Sequence, residues 1–390
     1  MKRIAIVTSN RAEYGILSPL IRKVEADSEF LLELIVTGAH LSEKYGNTIE
    51  QIRSDGFPIK ATIPILENGN SVIDISVTLA NAIKEFSIYF NDNKPDILVL
   101  LGDRTELLGV AIAAMNCNIP IAHLHGGEVT KGAVDDCVRH AITKLSYIHF
   151  AGTEIYKNRI IQMGEDPSRV FNVGTLSAEN ILKTTLMKEN ELREDIGIPQ
   201  GMKYAVVTLH PETVDALPPR RIANVLCKCM QNEKDTFFVI TASNSDVGGD
   251  VINDTLIAYA DNNSNAVFRH SLGMRRYLSA VKYSLYVLGN SSSGIVEAPI
   301  LGVPTINVGN RQSGRIMVDT ILNVPFEKYE IEKAIDKASI MEHIPSKIYG
   351  DGCTSEKMVS ILKQVLSKGI ELKKGFYDIG YLDRNGDVQV

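Results

Sequence analysis

No run of apolar residues in this 390-residue chain approaches the roughly 20 that a membrane-spanning helix requires, so no span is expected. The amino terminus, MKRIAIVTSNRAEYG, has a charged start but only a short apolar run. It ends in polar residues without a small-residue cleavage site, so no signal peptide is needed to explain it. Cysteine is sparse and odd in number. Cys117, Cys137, Cys227, Cys229 and Cys353 form no CxxC pair, which suggests neither a disulfide framework nor a zinc site. Positive charge is not in excess either: 41 Lys and Arg against 47 Asp and Glu leave a formal net charge of −6. The clustered basic residues that nucleic-acid binding needs are missing. The loop SNRAEYG, Ser9 to Gly15, has neither GxGxxG nor GxxxxGK[ST] spacing, so nicotinamide and ATP lose their best support. What remains is a cytoplasmic globular enzyme with no cofactor, no metal and no nucleic-acid partner called for.

The length exceeds what one hydrophobic core usually holds, so two domains are expected. Apolar runs rich in Val and Ile recur with helical segments between them. Strands are expected at Arg3 to Thr8, Leu31 to Val36, Asp96 to Leu101, Ile119 to Leu124, Ser146 to Phe150 and Val170 to Val173. A second set falls at Tyr204 to Thr208, Thr236 to Thr241, Ala266 to Arg269, Ser284 to Leu288 and Pro304 to Val308. Near-continuous apolar strands alternating with helices indicate parallel sheets covered on both faces, hence an α/β class with two doubly wound domains and a cleft between them. The charged stretch from Lys183 to Lys203 marks the break. The expected divisions are 1–182, 183–366 and a tail, 367–390, with a helix from Ser355 to Lys368 that can pack back on the first domain. The end, GFYDIGYLDRNGDVQV, is expected to be partly disordered.

Ligands of such sheets bind beyond the carboxyl ends of the strands. There the chain places LGDR (Leu101 to Arg104) and LHGGEVTKGAVDDCVRH, which sets Glu128, Asp135, Asp136 and Arg139 within a few residues of His125. Acid–base groups collected at a strand end are costly to bury idly. The plainer alternative is a helix with acidic first residues and an i,i+4 pair between Asp135 and Arg139. Asp103 or Arg104 is expected to point into the cleft, with Asp103 as base, cation stabiliser or N-cap. Arg11 can reach a phosphate with its bidentate fork, or can be a surface arginine. In the second half, GNSSSGIVEAP places Ser291, Ser292 and Ser293 at an expected helix start, with Gly294 allowing close backbone approach. That set suits a diphosphate, or is a serine cap. Glu297, one turn in, can accept from ribose hydroxyls. His210 can donate to phosphate or relay a proton, whereas His40, His149 and His343 are read as structural. Together these motifs point to chemistry on a nucleotide sugar.

SNRAEYG, VTGAHL with YGNTI, LGDR, HGGE, DDCVRHAITKLS, HPET, GNSSSGIVEAP and GNRQSGR, in this order over nearly the whole chain, resemble the UDP-N-acetylglucosamine 2-epimerase family. The similarity is greater to its hydrolysing branch, the bacterial sialic-acid-pathway type, which releases N-acetylmannosamine and UDP. The resemblance implies the GT-B fold, two Rossmann-like domains, and a homo-oligomer, dimer or tetramer. It implies UDP contacts from Arg11, His210, Ser291, Ser292 and Glu297, and sugar contacts from Asp103, Glu128, Asp135 and Arg139. Arg104, Asn244, Asp246, Arg311, Gln312 and Arg315 are further candidates for diphosphate or sugar contacts. The non-hydrolysing branch has a glutamate where this chain has His125, so His125 joins the candidates for acid or base.

The chemistry explains the need for these groups. No carbonyl acidifies C2–H of an N-acetylglucosamine unit, so C1–O cleavage must lead. Positive charge then develops at C1 while UDP takes the electron pair, and a base removes the C2 proton to give a 2-acetamidoglucal. Water adds to that glucal from the face that leaves the manno configuration. Alternatives are the same reaction on UDP-N,N'-diacetylbacillosamine, a non-hydrolysing epimerase, a glycosyltransferase, and a sugar-nucleotide sensor without turnover.

Overall fold

The computed structural model describes the chain except for residues 68, 70, 131–133, 213–216, 245, 383–387 and 390. Two compact units are present, one comprising Met1–Asn180 with Gly350–Val390, the other Ile181–Tyr349. Each is built on a parallel sheet.

In the first unit the strands are β1 (Lys2–Thr8), β2 (Phe30–Thr37), β3 (Ile59–Ile63), β4 (Ile97–Leu101), β5 (Ile121–Leu124), β6 (Ile148–Ala151) and β7 (Val170–Asn172). Their order across the sheet is β3-β2-β1-β4-β5-β6-β7, with every pairing parallel. The pleat sends alternate residues to opposite faces. Ile4, Ile6, Ile97 and Val99 enter a core with the helix Arg11–Glu25, while Ala5, Val7, Leu98 and Leu100 enter one with the helices Val72–Asp92 and Thr105–Asn116. Both faces are dry, which is why these strands read as unbroken apolar runs.

The second unit carries β8 (Lys203–Thr208), β9 (Thr236–Thr241), β10 (Ala266–Arg269), β11 (Val287–Gly289), β12 (Thr305–Val308) and β13 (Ile321–Val324). Their order is β10-β9-β8-β11-β12-β13, again all parallel. Each unit is therefore Rossmann-like. The order reverses between β1 and β4 in the first sheet and between β8 and β11 in the second, and ligands of open α/β sheets collect at such switch points.

Two strands of the parallel sheets escape the sequence reading, β3 and β13. Both are outermost in their sheets and half-exposed, so neither presents an apolar run. A second correction concerns the chain after the second sheet. Residues 350–366, expected with the second domain, belong to the first unit. The helix Thr354–Lys368 buries Met358, Val359, Leu362 and Leu366 in the first unit's core, and Ser355 donates its N–H and hydroxyl to Glu179, both at 2.6 Å. Of the tail expected to be disordered, 383–387 and 390 lie outside the described residues. The strands β14 (Tyr381–Leu382) and β15 (Val388–Gln389) pair antiparallel.

Candidate active site

The first unit gathers its polar groups where β1, β4 and β5 end. After β1, Asn10 caps the helix Arg11–Glu25, its side chain accepting from Ala12 N–H and Glu13 N–H at 3.0 and 3.1 Å. That cap fixes Arg11 as the first helical residue. After β4, Gly102 turns the chain with φ +89°, and Asp103 and Arg104 follow. Arg11, Asp103, Arg104, Glu106 and Asp135 line one cavity of about 810 Å³, together with Tyr45, Leu66 and Ile75. Asp103 and Arg104 thus both face it. Asp103 is not an N-cap, because Arg104 occupies that position in front of the helix Thr105–Asn116.

The helix Val134–Leu145 carries Asp135 exposed and Arg139 buried. The Asp135–Arg139 pair of the plainer alternative does not form. Arg139 turns inward instead: Nη2 donates to Asp103, and Nη1 donates to Asp136 Oδ1 at 3.0 Å. Asp136 also accepts from Thr130 N–H at 2.8 Å. One guanidinium therefore joins the end of β4 to the helix and the loop before it, leaving Asp135 to face the cavity.

Beyond β5 the turn HGGE is tightly constrained. His125 has φ +63°, unusual for a residue with a side chain. Gly127 has φ +74°, and a Cβ there would collide with the Tyr156 carbonyl, so glycine is required. His125 Nδ1 lies 2.8 Å from Glu128 Oε1, while its Nε2 is buried without a hydrogen-bond partner among the described residues. Burial alone would lower the imidazole pKa, but the charge and hydrogen bond of Glu128 outweigh it, so the protonated form is favoured. His125 also feels the charges of Arg139 and Asp103. His123, on β5 itself, drew no attention in the sequence. It is fully buried, bonds the Gly102 carbonyl at 2.8 Å and Thr143 at 3.2 Å, and burial holds it neutral with a pKa of about 3. It ties the β4 turn to the Val134–Leu145 helix. His40 and His149 are buried and hydrogen-bonded, in keeping with structural roles.

In the second unit, His210 follows β8 and Asn290 follows β11. Asn290 is fully buried and bridges the switch point twice: its Oδ1 accepts from His210 N–H at 2.7 Å and its Nδ2 donates to the His210 carbonyl at 2.9 Å. His210 Nδ1 accepts from Asn244 N–H at 3.0 Å, which places the ring proton on Nε2. Burial, aided by Arg311, lowers the His210 pKa to about 4, so the ring is a neutral donor. Gln312 is buried and donates to the Asn290 carbonyl at 2.8 Å, which makes it a support for the loop. Arg311 pairs with Asp246 at 3.7 Å, Asn244 Nδ2 donates to the same carboxylate at 2.5 Å, and Arg315 is exposed. Glu212 accepts from Asn310 N–H at 2.6 Å and holds the GNRQSGR loop in place. Asn290→Ala should leave both backbone groups of His210 unpaired. An unmet buried polar group costs about 1–3 kcal/mol, so a lowered urea midpoint is expected, and an unchanged midpoint would contradict the bridging role.

The serine segment departs from expectation. No long helix opens at Ser291; a 3₁₀ turn, Ser292–Gly294, leads into a helix of five residues, Glu297–Leu301, which Gly302 ends at φ +83°. Glu297 is the first residue of that helix. Gly294 is needed for packing, since a Cβ would press on Thr305 Cγ2 at 2.8 Å. Ser291 caps the turn, accepting from Ser293 N–H at 3.4 Å, and Ser293 hydrogen-bonds the Tyr277 phenol. Glu297 lines a cavity of about 350 Å³ with Thr241, His270, Leu272, Tyr277 and Leu278. Burial raises the Glu297 pKa against the opposing pull of Arg315. No motif in the sequence marked Thr241, His270 or Tyr277; only the fold brings them to this wall.

A family model described as UDP-N-acetylglucosamine 2-epimerase matches residues 22–363. A polysialic acid biosynthesis protein of Escherichia coli is 37% identical, covering 97% of this chain and 98% of its own length. A GDP/UDP-N,N'-diacetylbacillosamine 2-epimerase (hydrolyzing) of Campylobacter jejuni is 36% identical over 87% of this chain and 88% of its own. The crystal structure of Neisseria meningitidis UDP-GlcNAc 2-epimerase bound to UDP-GlcNAc has the same GT-B fold, with a TM-score of 0.74 at 18% identity, covering 94% of this chain and 100% of that one. With its two Rossmann-like sheets and with polar groups gathered at both switch points, the chain belongs to the UDP-N-acetylglucosamine 2-epimerase family.

Proposed function

We propose that the protein is a hydrolysing UDP-N-acetylglucosamine 2-epimerase, converting its substrate and water into N-acetylmannosamine, UDP and a proton. What carries this assignment is the meeting of Asp103 and Asp135 with Arg11 and Arg104 on one cavity, next to the His125–Glu128 pair at the end of β5. Glu297 and its cavity in the second unit take the nucleoside, with the carboxylate on the ribose. His210 Nε2–H, the Ser291 and Ser292 hydroxyls and the Arg311 guanidinium are donors for the diphosphate. A five-residue helix has a weak dipole, so these hydroxyl and side-chain donors matter more than the helix start does.

Asp103, clamped by Arg139, is a fixed negative charge suited to the oxocarbenium that forms at C1 as the C1–O bond breaks and its electron pair leaves with UDP. Asp135, which Arg139 does not engage, is placed to take the C2 proton. His125, hydrogen-bonded to Glu128 and favoured in its protonated form, is suited to return a proton to C2 from the opposite face. Water supplies hydroxide to C1, and its remaining proton leaves to solvent. Release of free sugar, in place of UDP-linked sugar, is supported by the relative named as hydrolyzing. That relative's name also favours a second substrate, UDP-N,N'-diacetylbacillosamine, which differs at C4 and C6, away from the reacting carbons.

NMR of the protein with UDP-N-acetylglucosamine in D2O tests the assignment. N-acetylmannosamine carrying deuterium at C2, with stoichiometric UDP, is the expected result. UDP-linked N-acetylmannosamine would place the protein in the non-hydrolysing branch, and turnover of the diacetylated substrate alone would favour the second one.

A further inference from the structure

Two carboxylates beside the first unit's cavity have no part in the scheme above. Glu13 lies in the first turn of the helix Arg11–Glu25 and Glu106 in the first turn of Thr105–Asn116, and both are buried. They meet at one hydroxyl. Ser9 Oγ is 3.1 Å from Glu13 Oε1 and 3.0 Å from Glu106 Oε1. A serine hydroxyl owns a single hydrogen. The other donors are already committed: Arg104 Nε to Glu106 Oε1 at 2.7 Å, Ser9 N–H to Glu13 Oε2 at 2.8 Å, and Asn10 Nδ2 to Ser9 Oγ at 3.3 Å. With both carboxylates ionised, one Ser9 contact would press two lone pairs together between two buried side chains. A proton on Glu13 removes the conflict, because Glu13 O–H then donates to Ser9 Oγ and Ser9 O–H to Glu106.

Among the described residues, the charges that act on Glu13 are those of Glu106 and Arg104. Arg104 Nε lies 4.0 Å from Glu13 Oε1, and Asp135 also acts on Arg104. Behind Ser9, His40 is bonded to Thr8 and Thr48 and is neutral, burial having lowered it to about 4. Both helix starts favour ionised carboxylates. Burial and the charge of Glu106 act in the opposite direction, and burial is the largest influence on Glu13, raising it to about 7.

We propose that Glu13 and Glu106 share one proton across Ser9, and that this proton keeps the positive charge of Arg104 available to an anion in the cavity. While Glu13 is neutral, Arg104 balances Glu106 alone. Loss of the proton leaves Arg104 balancing two carboxylates, Glu13 and Glu106, in a cavity that Arg11, Asp103 and Asp135 also line, and its contribution to holding an anion there weakens. Glu13 is a positioning residue, acting through Ser9, Glu106 and Arg104. The consequence for substrate rests on the function proposed above; the shared proton does not.

The test compares wild type with Glu13→Gln. Glutamine is neutral at every pH, its amide N–H can donate to Ser9 Oγ, and its oxygen can accept from Ser9 N–H. For wild type, KM for UDP-N-acetylglucosamine should rise several-fold between about pH 7 and about pH 9 as the attraction for an anion weakens, and Glu13→Gln should lack that rise. Identical alkaline limbs in the two proteins would overturn the proposal. A second readout needs no turnover: the infrared carbonyl band of a protonated carboxyl should be present in wild type near neutral pH, fade on alkaline titration, and be missing from Glu13→Gln. Wild type without that band overturns the shared proton, whereas the band without turnover of any UDP-sugar overturns the function and leaves the proton standing. Linkage gives a third sign. The folded protein holds more protons than the unfolded chain between about 4.5 and about 7, so wild type should lose stability relative to Glu13→Gln as pH rises through that window.

Discussion

Replacing Asp135 with asparagine, or Glu128 with glutamine, is expected to lower kcat by about 10²–10⁴-fold, the usual contribution of a positioned acid or base. UDP affinity, measured by calorimetry, should stay close to wild type in both. The separation follows from where the groups stand. Asp135 lines the first unit's cavity and Glu128 pairs with His125, while the donors assigned to UDP lie largely in the second unit. The two variants should differ in detail. Asp135→Asn removes the group placed at C2–H, so deuterium exchange into substrate or product should stop with turnover. Glu128→Gln keeps a hydrogen-bond partner for His125 but withdraws the charge that favours its protonated form, so its residual activity should fall further as pH rises. Turnover near wild type in either variant would remove that residue from the chemistry.

Arg139 gives the second large effect, and two variants separate its functions. Arg139→Met leaves Asp103 and Asp136 without the cation between them. Removing one partner of a fully buried pair costs about 3–5 kcal/mol; both aspartates keep about a quarter of their side-chain exposure, so roughly 2 kcal/mol is expected here. The kcat should fall by at least about 10²-fold, because a 1 Å displacement of a reacting group is enough for that. Arg139→Lys restores a charge but not a planar fork able to bridge two carboxylates. It should recover much of the urea midpoint while kcat stays low. Full activity in the lysine variant would mean that charge alone, and not geometry, is what Arg139 supplies.

The strands legible in the sequence were those buried on both faces. Ile97–Leu101 reads as an unbroken apolar run because nothing on it meets water, whereas Ile59–Ile63 and Ile321–Val324 lie at sheet edges and alternate in exposure. The polar groups after β1, β4, β5, β8 and β11 were legible for a related reason: a polar cluster immediately after a buried strand has few other places to be. Pairings across the fold were not legible. Helical spacing offers Asp135 to Arg139, but the guanidinium is buried toward the sheet, where Asp103 from another strand is the partner. Asn290 sits inside a quoted motif, yet its hold on His210 spans 80 residues. Tyr277 joins Ser293 and Glu297 only because the helix Gly273–Tyr283 packs against the helix Glu297–Leu301. The serine turn misled in the other direction, since glycine and serine signal a helix start as readily as the short 3₁₀ turn that forms.

The return of the helix Thr354–Lys368 to the first unit makes the second unit an insertion within the first, joined to it at two points of the chain. A ribosome making this protein therefore completes the inserted unit first. The earlier sheet waits with one side of its core open until Met358, Val359, Leu362 and Leu366 emerge, so the order of assembly runs against the order of synthesis.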